Sequence, residues 1–406
     1  MLNTPFAPWP SFSEEEIQAV ARVLSSNRVN YWTGDECRLF EKEFAAWCGC
    51  DHAIALANGT VALDLALKAL DIGPGDEVVV TPRSFIASVS PVVNAGAVPI
   101  FADVDHESGN ISAETIEAAL SPRTKAVICV HLAGWPCDMD PIMKLAHARG
   151  LKVIEDCAQA HGARYKGRSV GTIGDVGAWS FCQDKIISTG GEGGMVTTND
   201  FALWRKMWSY KDHGKDWDAV YNRSHPEGFR WVHDSFGTNW RMLEIQAAIG
   251  RIQLRRMEGW TNARTRNAHA IWEACLPHSA VRVPGFGCDQ CRGKSECAKK
   301  CGCVHGYYKC YVYVEQGRLA PGWSRDRILS EINARGVPCF QGACSEIYME
   351  KAFDGNGSRP SARLPFAREL GETSLMLLVH PTLTREEMDK TCEVLHRVLA
   401  SASLQS

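Results

Sequence analysis

Between residues 51 and 199 short, continuously apolar runs alternate with segments of helical period. This alternation restricts the possible folds more than any other feature of the chain. Residues 77–81, 99–103, 126–130 and 151–155 read as strands. Residues 85–94, 112–120 and 140–149 read as helices, the first ended by Gly96 and the second capped by Ser112. Strands without polar alternation are buried on both faces. Separated by helices of about ten residues, they predict a mainly parallel sheet covered on each side. Ligands of such sheets sit beyond the carboxyl ends of the strands, so the polar residues that directly follow each run carry the functional information.

The pattern then changes. A short strand at 195–198 and a long helical stretch at 239–256 precede a cysteine-dense segment at 288–310. Strand 307–314, helix 325–334, strand 375–379 and helix 385–399 follow. A chain of 406 residues suits two domains. The expected division is a large α/β domain at 1–256 and a smaller α+β domain at 257–406, which carries a cysteine-rich insertion at 286–310. The net charge of −3 gives no electrostatic reason to expect nucleic acid or an anionic membrane as partner. No apolar stretch approaches the roughly 18 residues of a spanning helix, and residues 1–16 lack the basic and apolar parts of a secretory signal. Seventeen cysteines, an odd number and mostly scattered, fit a reducing cytoplasm better than a disulfide framework.

Three local features bear chemistry. Asp156 ends the 151–155 run. A carboxylate at a strand end either caps a turn or meets a cation of the ligand, such as a protonated ring nitrogen. Lys185 precedes Gly190, Gly191, Gly193 and Gly194. Glycines after the lysine are not the P-loop order, which leaves an imine-forming lysine beside a flat cofactor or a plain surface lysine. Asn58, Gly59 and Thr60 open a strongly helical segment, whose first-turn N–H groups either bind phosphate or are simply capped. Phe85 follows a strand and either stacks on an aromatic ligand or joins the core. A phosphate site, a strand-end aspartate and a lysine in a glycine-flanked loop together are what pyridoxal phosphate requires.

These residues resemble the DegT/StrS group of nucleotide-sugar aminotransferases, which have the aspartate aminotransferase-like fold, the type I fold of pyridoxal phosphate enzymes. The resemblance runs from Tyr31 to His380. It includes Asn58-Gly59-Thr60, Pro99 to Asp103, His131-Leu132-Ala133-Gly134, Glu155-Asp156 with Gln159 and His161-Gly162, Ser180-Phe181 with Lys185, Gly191 to Gly194, and Gly237 to Met242. It implies that Lys185 forms the imine and shuttles the proton, that Asp156 pairs with the pyridine nitrogen, and that Gln159 contacts the ring hydroxyl. Gly59, Thr60 and Ser180 would hold the phosphate, Phe85 would stack on the ring, and Asn239 would reach the phosphate in the neighbouring subunit of a homodimer. The implied reaction passes an amino group from glutamate, released as 2-oxoglutarate, to a nucleotide-linked keto-sugar in amino-sugar biosynthesis, of surface polysaccharides or of natural products. Cys182-Gln183-Asp184 before the lysine departs from the usual pattern. Relatives with histidine in place of the lysine deoxygenate sugars, so Lys185 favours transamination. A sugar dehydratase, a cyclitol aminotransferase and a non-catalytic regulator on the same fold are the alternatives.

Cys288, Cys291, Cys297, Cys301 and Cys303 could supply thiolates to a structural zinc, but their intervals do not fit the two-pair ribbon spacing. The reaction itself needs no metal, and no metal ligand is assigned. Tyr31, Trp32, His131, Arg230, Tyr348 and His380 are candidates for substrate contact.

Overall fold

A computed structural model describes residues 5–284 and 301–404. Helices α1 (Glu14–Ser25) and α2 (Glu36–Cys48) lead into β1 (His52–Leu56), α3 (Gly59–Ala69), β2 (Glu77–Val80), α4 (Ser90–Asn94) and β3 (Val98–Phe101). Then come α5 (Ala113–Ala119), β4 (Thr124–Val130), α6 (Met139–Arg149) and β5 (Lys152–Asp156). A hairpin of β6 (Arg164–Tyr165) and β7 (Arg168–Ser169) precedes β8 (Val176–Ser180) and β9 (Gly194–Thr198), followed by α7 (Phe201–Tyr210), α8 (Trp217–Tyr221) and α9 (Glu244–Cys275).

Seven of these strands form one sheet in the order β1-β9-β8-β5-β4-β2-β3. The neighbours from β8 to β3 run parallel, and β9 is antiparallel to both β1 and β8. The mainly parallel sheet expected from the apolar runs is therefore present. Val78, Val79 and Val80 are fully buried, each contributing about 1.5–3 kcal/mol by leaving water. A second, antiparallel sheet of order β10-β11-β13-β12 is built from β10 (Val281–Arg282), β11 (Cys310–Val314), β12 (Cys339–Phe340) and β13 (Ser374–Leu377), covered by helices Arg325–Ala334 and Arg385–Ala402.

Three elements depart from expectation. The helix read at 85–94 is instead a 3-10 turn, Ile86–Ser88, followed by α4. Pro91 lacks an N–H and is accommodated only in a first turn, so the helix must start again there. The helix read at 239–256 begins at Glu244 and runs 32 residues through position 256 to Cys275, so one continuous helix joins the two sheets. At its start Leu243 N donates to Gln246 Oε1 at 2.8 Å, and the buried Glu244 carboxylate accepts the Glu36 and Cys37 N–H groups, which caps α2 from afar. The strand read at 307–314 begins only at Cys310, because Tyr307 takes a left-handed conformation, φ +46°. That geometry costs about 1–3 kcal/mol for a bulky residue. It is held by hydrogen bonds from Gly306 N to Gly134 O and from Tyr308 N to Ala133 O, both 2.8 Å.

Candidate active site

The carboxyl ends of β2, β5 and β8 open into a cavity of about 860 Å³. Its lining includes Gly59, Thr60, Phe85, Asp156, Gln159, Ser180 and Lys185. Seven of the eight expected site residues, distant in sequence, thus share one cavity.

Adjacent residues of a strand face opposite ways, and β5 uses this with two carboxylates. Asp156 faces the cavity and is buried; its oxygens accept from Ser88 Oγ at 2.7 Å and Ala158 N at 3.1 Å. Ser88 is in turn 2.8 Å from Ser84 Oγ. No Lys or Arg among the described residues pairs with Asp156, so its charge still calls for a cation. Glu155 faces the interior, where Gly171, Ile173 and Gly174 donate backbone N–H groups at 2.7–2.9 Å and His131 Nε2 lies at 3.0 Å. Burial pulls the Glu155 carboxyl upward, but His131 and the backbone donors outweigh it and hold it below the ordinary carboxylate range. Because His131 Nδ1 accepts from Cys137 N at 3.0 Å, the network assigns the proton of a neutral ring to Nε2. His131, Glu155 and Cys157 bring potential metal-ligating atoms within 4.8 Å. The Glu155 oxygens are already saturated, however, and burial keeps the Cys157 thiol protonated, so this cluster is structural.

The end of the cavity expected to take phosphate is formed by the start of α3. Asn58 caps it by accepting from Val61 N at 3.0 Å, which leaves the Gly59 and Thr60 ends of the helix facing the cavity. The fit there is tight. A Cβ on Gly59 would lie 2.5 Å from Ser180 Cβ, and one on Gly194 would lie 2.3 Å from the Asn58 carbonyl oxygen. Glycine at these places lets helix, strand and glycine loop converge on one spot.

Lys185 lies on the loop between β8 and β9, its side chain 16 % exposed. Its carbonyl accepts from Trp9 Nε1 at 2.8 Å, and its Nζ sits 3.8 Å from Asp184 Oδ1 and 5.0 Å from the Tyr308 ring centroid. The Tyr308 hydroxyl donates to Asp184. Against the upward pull of burial, Lys185 and Tyr308 hold Asp184 below the usual range, so a fixed negative charge stands beside the lysine. Burial, with Lys185 and Arg264 nearby, lowers His161 to about 3; the ring packs neutral between Trp179 and Phe181.

Gln159 lines the cavity and accepts from Ala133 N at 2.8 Å. Phe85, 67 % exposed, is part of the same lining. Asn239 does not line this cavity. It is exposed, bridged to Asp212 in a segment held by the backbone bonds of Lys211 and His213. None of the six residues considered for substrate contact lines the cavity either. His131 and Tyr31 are buried in hydrogen-bond networks, Trp32 donates to Asp212, and Tyr348 bonds Glu346. His380 packs on Trp9, and Arg230 caps Val220. Sequence reasoning passed over Ser88, Tyr308 and Lys309, which do line it; no local pattern marks them. Cys288, Cys291 and Cys297 lie outside the described residues. Cys301 and Cys303 pack beside the β6–β7 hairpin, with Lys166 N donating to Cys303 Sγ at 3.3 Å.

A buried carboxylate lacking a cation, a helix N-terminus with hydroxyls, and a partly buried lysine in one cavity fit pyridoxal phosphate: Asp156 for the ring nitrogen, Gly59, Thr60 and Ser180 for the phosphate, Lys185 for the aldehyde. Fold and site together define a type I pyridoxal phosphate enzyme. The chain belongs to the DegT/DnrJ/EryC1/StrS aminotransferase family, whose pattern it matches over residues 10–396, and sugar amino transfer with pyridoxal phosphate is its activity. It is 39 % identical to GDP-perosamine synthase of Caulobacter vibrioides over 366 residues, 89 % of each chain. It is 33 % identical to dTDP-3-amino-3,4,6-trideoxy-alpha-D-glucose transaminase of Streptomyces venezuelae over 94 % of this chain and 91 % of that one. The crystal structure of an aminotransferase from Psychrobacter cryohalolentis is 61 % identical and superposes with a TM-score of 0.93, over 98 % of this chain and 99 % of that chain. Among the described residues no helix is long and apolar enough to cross a membrane.

Proposed function

We propose that this chain transfers an amino group from L-glutamate to the ketone of a sugar carried on a nucleoside diphosphate, in two half-reactions that use one cavity. The observation that carries this reading is the convergence of Asp156, Lys185 and the N-terminus of α3 on a single cavity, with space left beside them for a substrate. The names of the relatives include GDP-, dTDP- and UDP-linked sugars, so the nucleotide is left open among the three.

Bound pyridoxal phosphate supplies an aldehyde for imine exchange and a ring that delocalises the electron pair released when a substrate C–H bond breaks. Asp156 keeps the ring nitrogen protonated, and Ser88 fixes which way that carboxylate points. Lys185 Nζ would hold the cofactor's aldehyde, and the same Nζ, when free, would move the proton at the reacting substrate carbon. Asp184 and the Tyr308 ring keep that amine at the cavity wall rather than in solvent. A lysine at this position supports transfer over deoxygenation.

A homodimer is part of the same reading. Asn239 is exposed and outside its own cavity, three residues after Phe236, which is 98 % exposed, and this supports its reaching a neighbouring subunit's phosphate site. Sedimentation of the holoenzyme as a monomer would overturn that part.

The test of the function is spectroscopic. Protein saturated with pyridoxal phosphate should show a visible band that glutamate bleaches with stoichiometric release of 2-oxoglutarate, and GDP-, UDP- or dTDP-linked keto-sugars should restore it. Lys185→Ala should lose the band and at least about 10²–10⁴-fold in turnover. A colourless protein that takes up no cofactor, or a Lys185→Ala variant of full activity, sinks the proposal.

A further inference from the structure

Lys309 is the second amine of the cavity, and the mechanism above gives it no task. It lies at the start of β11, on the same face as Tyr311, which also lines the cavity. The left-handed turn at Tyr307 places it there. The Nζ atoms of Lys309 and Lys185 lie 4.9 Å and 5.0 Å from the centroid of the same Tyr308 ring, so the two amines share one corner. Beneath that corner the buried Arg264 donates through Nη1 to the carbonyls of Tyr307 and Tyr308, at 3.3 and 3.4 Å. Its Nε and Nη2 are buried without a partner. No ion pair among the described residues involves Lys309 or Arg264. Among the described residues the carboxylate that acts on Lys309 is Asp184, already engaged by Tyr308 and Lys185. Burial, added to by Arg264 and Lys185 and offset in part by Asp184, lowers Lys309 to about 8. An incoming anion would reverse that destabilisation.

We infer that Lys309, backed by Arg264, receives a carboxylate of the amino donor. The donor must bring its amine to the place Lys185 occupies, and an amino acid carries a carboxylate on the carbon that bears that amine. A cation sharing the corner with Lys185 is therefore suited to it. The diphosphate of a nucleotide-sugar is held away from the reacting carbon by the sugar ring. This inference rests on the amino-acid donor proposed above.

The experiment uses holoenzyme and measures the two half-reactions separately, together with calorimetric binding of glutarate, which has carboxylates but no amine to react. Lys309→Gln should keep its cofactor and visible band. Its half-saturating glutamate concentration should rise about 10- to 100-fold, the loss expected for one charge-assisted hydrogen bond. Glutarate binding should weaken by a similar factor, and the keto-sugar half-reaction should stay within about threefold of wild type. Lys309→Arg should recover most of the loss. Unchanged glutamate and glutarate binding overturns the assignment. So does a loss confined to the keto-sugar half-reaction, which would make Lys309 a diphosphate contact. A wild-type enzyme inert toward glutamate fails the donor reading instead; weaker glutarate binding in Lys309→Gln would then still support the carboxylate site, and equal binding would overturn it.

Discussion

Two carboxylates that are neighbours in the chain have opposite surroundings. Behind the sheet, Glu155 meets three backbone N–H groups and His131, and its oxygens are fully hydrogen-bonded inside the protein. In front of it, Asp156 meets one hydroxyl and one N–H and, among the described residues, no cation. The first arrangement stabilises the strand end and the loops that pack on it. The second leaves the strand end electrostatically incomplete, which supports the proposed pairing of Asp156 with a cationic ring. A binding site differs from a structural network in what it leaves unpaired, and one residue of register decides which carboxylate takes which part.

The comparison can be broken in three ways. Glu155→Ala should have the largest effect on folding, removing about 3–5 kcal/mol because His131 and three N–H groups lose a buried partner; urea unfolding of the cofactor-free protein measures it. Glu155 also carries a pH signature. Its folded pKa lies below the ordinary value, so its stabilisation is complete above the ordinary glutamate range, near about 4.3. It is lost as pH falls through the lower folded value. The acid limb of melting temperature against pH should flatten in Glu155→Ala, and an unchanged limb would show that His131 and the loop donors do not set it.

Asp156→Asn should do the reverse, costing about 10²–10³-fold in turnover through lost electrostatic support of the ring while the cofactor-free protein stays within about 1 kcal/mol of wild-type stability. Equal damage to folding would erase the distinction between the two carboxylates. The smallest effect belongs to Ser88→Ala, which frees Asp156 to rotate. A loss of about 1 kcal/mol, roughly fivefold in kcat/KM, is expected with cofactor content unchanged.

Much of this site was legible in the residues alone. Apolar runs without alternation announced the parallel sheet, and the polar residues just after them, Asp156 and the Asn58-Gly59-Thr60 opening of α3, are where the cavity lies. Lys185 was legible through the glycines that follow it. These signals are local, carried by strand period, capping chemistry and glycine placement. The failures are nonlocal. Pro91 breaks a helix whose apolar period looks continuous, and Glu244, the first residue of α9, caps a helix some 200 residues earlier in the chain.

The sequence by itself determined the sheet, the strand-end aspartate, the helix that opens at Asn58 and the lysine, because backbone period and side-chain type suffice to define each. Only the tertiary structure decided that Tyr308 and Lys309, more than 120 residues beyond Lys185, close the same corner, that Arg264 lies beneath them, and that Asn239 stays outside the lining of its own cavity. Those neighbours are brought together by the packing of two sheets about one long helix. Nothing in the period or composition of a segment records what will pack against it.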